Sequence, residues 1–289
     1  MAAFQYASPG TLAEASQLLR EFGPDAALLA GGTDLVADIR GGQRSPKLVV
    51  ALRRVQELSA AITVTAAGIH IGALATLTEI AEHPAIGALF PAVAEAAGNI
   101  GSRQIRNWAT MAGNVCNASP AADAIPALLL YDATLNTAGQ HERRLPVASF
   151  VQGPRRTALR GGEIVASIFL PNPPPESTSC YLRFSRREGA DLAIVGVAAL
   201  ASRAGEVRIA LGAVAPAAFR ATEAEAMLRG GCDDPAGLEA ALAKVAQAAD
   251  PISDVRASRE YRLHLIRTLT ADALRLCRAR AGQQGGRPC

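Results

Sequence analysis

The chain has 289 residues, a net charge of +3 and 49% hydrophobic residues, and this length allows one large globular domain or two smaller ones. No apolar run of about 18 residues is present, which excludes a membrane span, and the arginines are too scattered to line a nucleic-acid groove. The first residues lack the basic start and apolar stretch of a signal peptide, which predicts a cytoplasmic location.

Residues 1–60 predict an alternation of strands and helices. Strands are expected at 4–6, 26–30 and 47–52, and an apolar stripe predicts a helix over 12–22 that ends at Gly23-Pro24. The second strand runs directly into Gly31-Gly32-Thr33-Asp34-Leu35, with a short helix expected beyond it. Open α/β sheets bind ligands at such strand ends, so this segment is a candidate ligand site.

Residues 61–175 predict strand pairs with helices between them. Alternating apolar residues on both sides of Gly68 indicate a hairpin. The pattern predicts helices over 77–82, 85–97 and 121–131, and strands of an antiparallel sheet at 133–137, 144–147 and 163–170.

Consecutive prolines in Pro171-Asn172-Pro173-Pro174-Pro175 favour an extended linker, and a domain boundary is predicted there. The expected domains are 1–175, with subdomains of about 1–60 and 61–175, and 176–281, followed by a disordered tail at 282–289. In the second domain the pattern predicts strands at 180–186, 194–202 and 207–214, and helices at 221–229, 235–249 and 258–280.

Two loops that contain glycine, Gly31 to Leu35 and Thr110 to Asn114, carry the candidate chemistry. Glycine allows positive φ and has no Cβ, so successive backbone N–H groups can approach phosphate oxygens. Thr33, Thr110 and Asn114 add side-chain donors. Together the loops could hold both phosphates of a dinucleotide, although neither is a Gly-x-Gly-x-x-Gly fingerprint and no Walker A lysine is present.

Several other residues near the loops can be interpreted. Asp34 would repel a pyrophosphate, so its side chain is expected to cap the next helix while its N–H faces the ligand. Asp123 fits either the first turn of a helix or a ligand contact, and the pattern leaves both open. Trp108 is interpreted as a core residue, Cys116 as a packing position that faces the ligand, and the four histidines as structural.

The two loops belong to longer motifs, Ala30-Gly31-Gly32-Thr33-Asp34-Leu35 and Arg106-Asn107-x-x-Thr-Met-Ala-Gly-Asn-x-x-Asn-Ala-Ser-Pro-x-x-Asp123. The pair closely resembles the FAD-binding medium subunit of the molybdenum hydroxylases, a family that includes the carbon monoxide dehydrogenase flavoprotein and the flavin domain of xanthine dehydrogenase. The resemblance covers nearly the whole chain, since Asp250-Pro-Ile-Ser-Asp254 through Tyr261-Arg262 is similar to the family's C-terminal domain.

This resemblance implies an α+β fold. A vanillyl-alcohol-oxidase-type (PCMH-type) FAD-binding domain of two α/β subdomains would precede a C-terminal domain that pairs a small antiparallel sheet with helices. The implied function is that of the FAD-carrying electron-transfer subunit of a heterotrimeric molybdenum hydroxylase. Its partners would be a large subunit, which oxidises an N-heterocycle, aldehyde or similar substrate at a molybdenum cofactor, and a small subunit with two-iron clusters. The assembly would be a dimer of heterotrimers, in which electrons pass from the clusters to FAD and on to an external acceptor.

The resemblance also implies which residues contact the non-covalently bound FAD. The residues expected around the pyrophosphate and neighbouring groups are Leu29, Ala30, Gly31, Gly32, Thr33, Asp34, Leu35, Thr110, Gly113 and Asn114. The site would continue along Ile100, Gly101, Cys116, Asn117, Ser119 and Asp123, with Ile164 and Val165 near the adenine or the ring. Two positions depart from the family: Arg183 stands where many relatives have a lysine near the flavin, and Ala112 where a second glycine is common.

No catalytic acid, base, nucleophile or metal ligand is predicted in this chain. The five cysteines never fall two residues apart, and the cysteine-rich insertion typical of 4-hydroxybenzoyl-CoA reductase is missing, so FAD is the only cofactor expected here. Two alternatives remain. A stand-alone flavin oxidoreductase would need an acid or base beside the ring, and a non-redox scaffold with a vestigial nucleotide site conflicts with the complete set of loop residues.

Overall fold

The computed structural model describes residues 3–139, 142–187, 189–229 and 234–284, with side chains as far as residue 281. The strands are β1 (Gln5–Ala7), β2 (Ala26–Leu29), β3 (Leu48–Ala51), β4 (Ile62–Thr65), β5 (Gly68–Gly72), β6 (Thr134–Gly139), β7 (Arg144–Pro146), β8 (Val151–Gly153), β9 (Arg156–Thr157), β10 (Glu163–Pro171), β11 (Ser177–Phe184), β12 (Val195–Ser202), β13 (Val207–Gly212) and β14 (Phe219–Arg220). The helices are α1 (Leu12–Phe22), α2 (Leu35–Arg40), α3 (Leu77–Glu82), α4 (Pro84–Leu89), α5 (Pro91–Asn99), α6 (Arg103–Arg106), α7 (Met111–Asn117), α8 (Ala124–Leu129), α9 (Val147–Phe150), α10 (Thr222–Met227), α11 (Pro235–Ala248) and α12 (Arg259–Gln284).

The N-terminal segment forms a three-stranded parallel sheet in the order β1-β3-β2. Its strands agree with the prediction to within two residues, and β3 is buried along its whole length. Thr11 caps α1 by accepting a hydrogen bond from the Glu14 amide at 3.2 Å. The chain leaves β2 at Leu29 and reaches α2 through the first glycine loop, so this loop lies at the carboxyl end of a parallel strand.

The second segment is a five-stranded antiparallel sheet in the order β4-β5-β10-β6-β7, with the helices α3 to α8 between β5 and β6. The hairpin predicted at Gly68 is confirmed by the pairing of Thr65 with Gly68. The single helix expected over 85–97 is wrong: Phe90 has φ −131° and ψ 55°, which ends α4 before Pro91 begins α5. A proline disfavours the helical conformation in the residue before it, which explains the break. The helix expected over 121–131 is limited to α8.

The C-terminal segment is a four-stranded antiparallel sheet in the order β11-β12-β13-β14 that is buried on both faces. Tyr181 and Leu200 belong to a core shared with α5 and α8, whereas Cys180 and Ala199 belong to a core formed with α10, α11 and α12. Neighbouring residues of a strand therefore enter different cores, as the two-residue period of a strand requires. Residues 172–176, between β10 and β11, form no helix or strand, and the domain boundary near residue 175 stays a prediction.

Some predictions fall at the limits of the described residues. The tail predicted from residue 282 is helical as far as Gln284, where α12 ends, and residues 285–289 lie outside the described part of the chain. His141, Cys232 and Cys289 also lie outside it. Among the described helices, none combines the length and the apolar character that crossing a membrane requires.

Candidate functional site

A cavity of about 730 Å³ is lined by both glycine loops and by the start of β10, the central strand of the five-stranded sheet. The predicted site residues in its wall are Ala30, Gly31, Gly32, Thr33, Asp34, Leu35, Ile100, Gly101, Thr110, Gly113, Asn114, Cys116, Asn117, Ser119, Asp123, Ile164 and Val165. Leu29 and Arg183 are not in the wall. Leu29 lies beneath the first loop, since a Cβ on Gly32 would stand 2.7 Å from its Cδ1. The structure therefore brings together residues that lie more than 130 positions apart in sequence.

The first glycine loop contacts the backbone immediately before the second glycine loop. A Cβ on Gly31 would stand 2.0 Å from the carbonyl oxygen of Trp108, so only glycine allows this approach. Gly32 has φ +76°, in the left-handed region that favours glycine. The glycine pair is thus required by loop contact and by backbone conformation, in addition to any ligand.

The second loop is the first turn of α7, which changes the role expected of its backbone. Thr110 caps the helix, and its Oγ1 accepts a hydrogen bond from the Gly113 amide at 3.0 Å. The Asn114 amide donates to the Thr110 carbonyl oxygen at 3.0 Å. The Gly113 and Asn114 amides are therefore used within the helix, and an approach of this loop's N–H groups to phosphate oxygens stays a prediction.

Asn114 instead faces the cavity with its side chain. Its Oδ1 is buried and has no hydrogen-bond partner in the protein. A buried, unpaired carbonyl oxygen costs free energy, so native proteins keep one where a ligand or water completes it. This atom is the clearest mark of a polar ligand in the wall.

Asp123 lines the cavity and is held by two residues of β11. The Tyr181 hydroxyl donates to its Oδ1 at 2.6 Å, and Nη1 of Arg183 lies 3.4 Å from its Oδ2. Burial raises the pKa of the Asp123 carboxyl, while the Tyr181 hydrogen bond and the Arg183 charge oppose that rise. Two roles were left open for Asp123, one in the first turn of a helix and one as a ligand contact. Its side chain makes no capping hydrogen bond to α8.

Arg183 also fixes a segment that lines the cavity. It donates to the carbonyl oxygens of Asp191 at 3.2 Å and Gly189 at 2.8 Å. Asp191 and Leu192 line the cavity beside Asp123. Arg183 therefore acts on the cavity through Asp123 and this segment.

Asp34 does not cap α2, and that prediction is wrong: its side chain makes no capping hydrogen bond, and its own backbone is already helical at φ −88° and ψ −48°. An N-cap residue needs an extended backbone to direct its side chain at the helix amides. The carboxyl stays in the cavity wall, where burial and then the charge of Asp38 raise its pKa, against a smaller opposing effect of Arg155.

Sequence reasoning missed a group of cavity residues at the start of β10. Arg160, Gly161, Gly162 and Glu163 line the cavity next to Ile164, and Arg44 lines it after α2. Glu163 is buried and accepts from Nε of Arg143 at 2.6 Å, which lowers the pKa of its carboxyl despite burial. The glycine pair at 161–162 before an apolar strand is the same signal as Gly31-Gly32 and could have identified this segment.

The remaining interpretations have mixed outcomes. Trp108 is not a core residue, because its side chain is half exposed and lies under the guanidinium of Arg53, 4.1 Å from the ring centroid. Cys116 does face the cavity, and burial raises the pKa of its thiol to about 12, so it stays neutral. His70 packs on Phe169, with 4.6 Å between ring centroids, which suits a structural role.

The cavity fits a cofactor-sized ligand that carries polar groups. The volume is within the usual range of cofactor sites, about 300–1,000 Å³. The cationic residues Arg44 and Arg160 stand in the wall, and the unpaired Asn114 oxygen can accept from a ligand hydroxyl or N–H group. In the described part of the chain, no cluster of histidine, cysteine or acidic residues could hold a metal ion.

Comparison with known proteins identifies the family. A family model described as the FAD binding domain in molybdopterin dehydrogenase matches residues 2–173, and one described as the CO dehydrogenase flavoprotein C-terminal domain matches residues 180–276. The chain is 34% identical over 283 residues to the putative xanthine dehydrogenase FAD-binding subunit XdhB of Escherichia coli, which covers 96% of this chain and 97% of that one.

Solved structures of related enzymes also match this chain. The chain matches carbon monoxide dehydrogenase from Hydrogenophaga pseudoflava with a TM-score of 0.91 and 29% identity, over 96% of this chain and 98% of that one. It matches quinoline 2-oxidoreductase from Pseudomonas putida with a TM-score of 0.88 and 28% identity, over 96% and 98% of the two chains. These matches confirm the α+β class, with a FAD-binding part followed by an antiparallel sheet covered by helices. The chain therefore belongs to the FAD-binding subunits of the molybdopterin dehydrogenases, a family of oxidoreductases, and its cofactor is FAD.

Proposed function

We propose that the cavity is the FAD clamp of this subunit, and that its two halves are the glycine loops 31–35 and 110–114. One observation carries the proposal: Gly31 contacts the backbone at Trp108, just before the second loop, and both loops line one cavity, where Asn114 presents an unpaired oxygen. The predicted residues Ala30 to Leu35, Ile100 and Gly101 would hold one side of the cofactor. Leu29 and Arg183 would act from behind the wall, through the first loop and through Asp123.

The chain's own residues would bind and orient the cofactor without proton transfer. Bound FAD supplies the redox chemistry, since a flavin can accept and release electrons singly or in pairs. Among the described carboxyls of the cavity wall, those of Asp34 and Asp123 have a raised pKa, and the two oxygens of Asp123 are contacted by Tyr181 and Arg183. This arrangement supports a fixed polar contact, and no catalytic residue is assigned.

We further propose that this chain is the electron-transfer subunit of a multisubunit enzyme. It would receive electrons from the iron–sulfur clusters of a small partner subunit and pass them to an external acceptor. A large partner subunit with the molybdenum cofactor would oxidise the substrate, an N-heterocycle, an aldehyde or a similar compound. The support is indirect: relatives are named as FAD-binding subunits or medium chains, names that imply further subunits. The assembly would be a dimer of heterotrimers. The cytoplasmic location stays a prediction.

Purification of the native protein from cells that produce it tests both proposals. We expect a yellow complex that contains a large molybdenum subunit and a small iron–sulfur subunit, and that releases FAD on denaturation. Added substrate should reduce the flavin in the complex but not in the isolated chain, whereas dithionite should reduce it in both. A colourless chain that cannot be reconstituted with FAD would contradict the clamp. A single chain with full turnover would instead support a stand-alone flavin oxidoreductase.

A further inference from the structure

Arg155 lies in the turn between β8 and β9 in a conformation that few arginines adopt. Its φ is +59°, in the left-handed region that favours glycine. Its amide donates at 2.9 Å to the carbonyl oxygen of Ala118, which itself has φ +49° at the end of α7. Two side-chain-bearing residues in this region, joined by one hydrogen bond, indicate that surrounding contacts hold the backbone in place.

The side chain of Arg155 supplies those contacts. Nη1 donates to Oδ2 of Asp38 at 2.5 Å, and Nη2 donates to Oδ1 of the same carboxylate at 3.2 Å. Nη1 also donates to Oδ1 of Asn117 at 3.0 Å. Asp38 is in α2, directly after the first glycine loop, and Asn117 ends α7, whose first turn is the second loop. One guanidinium thus joins the helices that carry both halves of the clamp.

The charges around this contact are unfavourable for an anionic ligand without Arg155. Asp34 and Asp38 are four residues apart at the start of α2, where like charges face each other, and Asp34 lines the cavity. A pyrophosphate brought to the first loop would add further negative charge. Arg155 pairs with Asp38, whose side chain is nearly buried at 10% exposure, and the positive charge of Arg155 also acts on Asp34.

We propose that Arg155 is a positioning residue for FAD, which neutralises the Asp34–Asp38 pair beside the first glycine loop and holds Asn117 in the cavity wall. The inference rests on the proposed FAD clamp. It explains how a loop that contains an aspartate can accept a pyrophosphate: the repulsion is cancelled from outside the cavity by a residue that the cofactor does not touch.

The ionisable groups described at this end of the cavity come from four segments. They are Asp34 and Asp38 on α2, Arg44 after α2, Arg155 in the β8–β9 turn, and Cys116 on α7, whose thiol is neutral because burial raises its pKa to about 12. Loss of Arg155 would leave the two carboxylates without the guanidinium that pairs with Asp38. FAD binding should then improve when Asp34, whose pKa is raised by burial and by the charge of Asp38, takes up a proton.

Titration of the apoprotein with FAD, followed by quenching of flavin fluorescence, tests the charge model without any activity assay. Arg155→Gln should weaken FAD binding by about fivefold, a modest factor because the guanidinium is partly exposed and screened. Asp38→Asn should leave binding unchanged or tighter, and Arg155→Gln combined with Asp38→Asn should restore it towards the wild type. A purely structural ion pair would make Asp38→Asn as harmful as Arg155→Gln, and that outcome would overturn the proposal.

Matched variants keep the result interpretable. Arg156→Gln makes the same change one residue along on β9 and should bind FAD as the wild type does. Arg155→Gly removes the side chain and suits the positive φ, so it should keep the turn conformation while it still binds FAD more weakly. In Arg155→Gln the affinity should rise as pH falls from about 8 to about 5.5, more steeply than in the wild type.

Failure of the inference differs from failure of the clamp. A wild-type apoprotein that does not bind FAD would overturn both. A wild type that binds FAD, together with an Arg155→Gln variant of unchanged affinity and unchanged pH dependence, would overturn the role of Arg155 alone.

Discussion

The phenol of Tyr181 donates a 2.6 Å hydrogen bond to the carboxylate of Asp123, across 58 residues of sequence. Tyr181 lies on β11 of the C-terminal sheet, whereas Asp123 lines the FAD cavity in the preceding segment. Burial also raises the pKa of the phenol, so Tyr181 remains a donor throughout the ordinary pH range. The position of an acidic group in the cofactor site therefore depends on a residue of the other sheet.

Tyr181→Phe should destabilise the protein by about 1–2 kcal/mol, because a buried carboxylate loses a donor. The pKa of Asp123 is already raised in the folded state, so the folded protein holds its proton more tightly and loses stability as pH rises through the interval between the unfolded and folded pKa values. Without the Tyr181 hydroxyl, the pKa of Asp123 in the folded protein should rise further, so the pH interval over which stability is lost extends to higher pH. Urea unfolding should show a larger difference from the wild type at about pH 8 than at about pH 5.

Tyr261→Phe is the control for Tyr181→Phe, since the Tyr261 ring packs edge-on against Phe184, 6.0 Å between centroids, and is partly exposed. It should change stability little at either pH. Equal destabilisation by Tyr181→Phe at both pH values would contradict the proposed link to Asp123 ionisation.

Asn114→Ala should affect the apoprotein and the FAD complex in opposite directions. The substitution removes a buried oxygen that has no partner, so the apoprotein should be as stable as the wild type or more stable. FAD affinity should fall by about tenfold, the equivalent of one hydrogen bond. Thermal unfolding with and without FAD measures both. Asn136→Ala is the control, because its Nδ2 donates to Ser167 at 2.9 Å outside the cavity wall. This change should lower the stability of the apoprotein and leave the FAD affinity unchanged.

Gly113→Val should abolish FAD retention. Its Cβ would stand 2.9 Å from Thr110 Oγ1, so the branched side chain would disturb the helix cap and enter the cavity at the second loop. Flavin absorbance of the purified variant is the measurement. Gly87→Val is the control, since a Cβ at Gly87 meets no atom within 4 Å. Wild-type flavin content in Gly113→Val would refute the role of this loop.

Arg262→Leu should lower the free energy of unfolding by about 3 kcal/mol, as expected when one member of a buried ion pair is removed. The guanidinium is 1% exposed and donates to the Ile194 carbonyl oxygen at 2.5 Å and to Asp254 at 2.9 Å. Arg275→Leu, on the exposed side of α12, should cost much less. Urea unfolding distinguishes them, and equal costs would show that burial of Arg262 adds nothing.

The same ion pair predicts a pH dependence. Hydrogen bonds from Arg256 and Arg262 hold the pKa of Asp254 below its usual value, although burial acts the other way. A lowered acid pKa contributes stability that is present above the unfolded pKa and is lost as pH falls through the folded one. Arg262→Leu should therefore be less sensitive to acid than the wild type in the same unfolding experiments.

Local patterns in the sequence predict most strands and most helices, since period and punctuation are set by neighbouring residues, but the short strands β8, β9 and β14 were not predicted. The break at Phe90 shows one limit: Pro91 is permitted in the first turn of a helix, so a proline within an apolar stretch can mark a new helix as well as the end of an old one. The glycine loops were identifiable because they combine backbone freedom with polar residues.

What could not be predicted depends on distant pairing. Tyr181 looks like any aromatic residue of a strand, and Arg155 looks like one exposed arginine among many. Each residue acts through a carboxylate that is distant in sequence: Asp123 is 58 residues from Tyr181, and Asp38 is 117 residues from Arg155. Only the folded structure shows these pairs. The Asp34 prediction failed for a local reason, because its backbone is already helical and cannot direct the side chain at the helix amides.

The sheet that carries Tyr181 lies between two hydrophobic cores and contributes side chains to both. The proposed FAD site therefore depends on residues from the whole chain. Glu95 of α5 accepts from the Tyr181 amide at 2.7 Å and from Arg280 of α12 at 2.6 Å, so hydrogen bonds link the sheet, α5 and α12. A protein shortened to the first 175 residues would leave α5 and α8 uncovered and would free Asp123 from its donor. We therefore expect residues 1–175 alone, without the C-terminal sheet, to hold the proposed FAD site less well than the whole chain does.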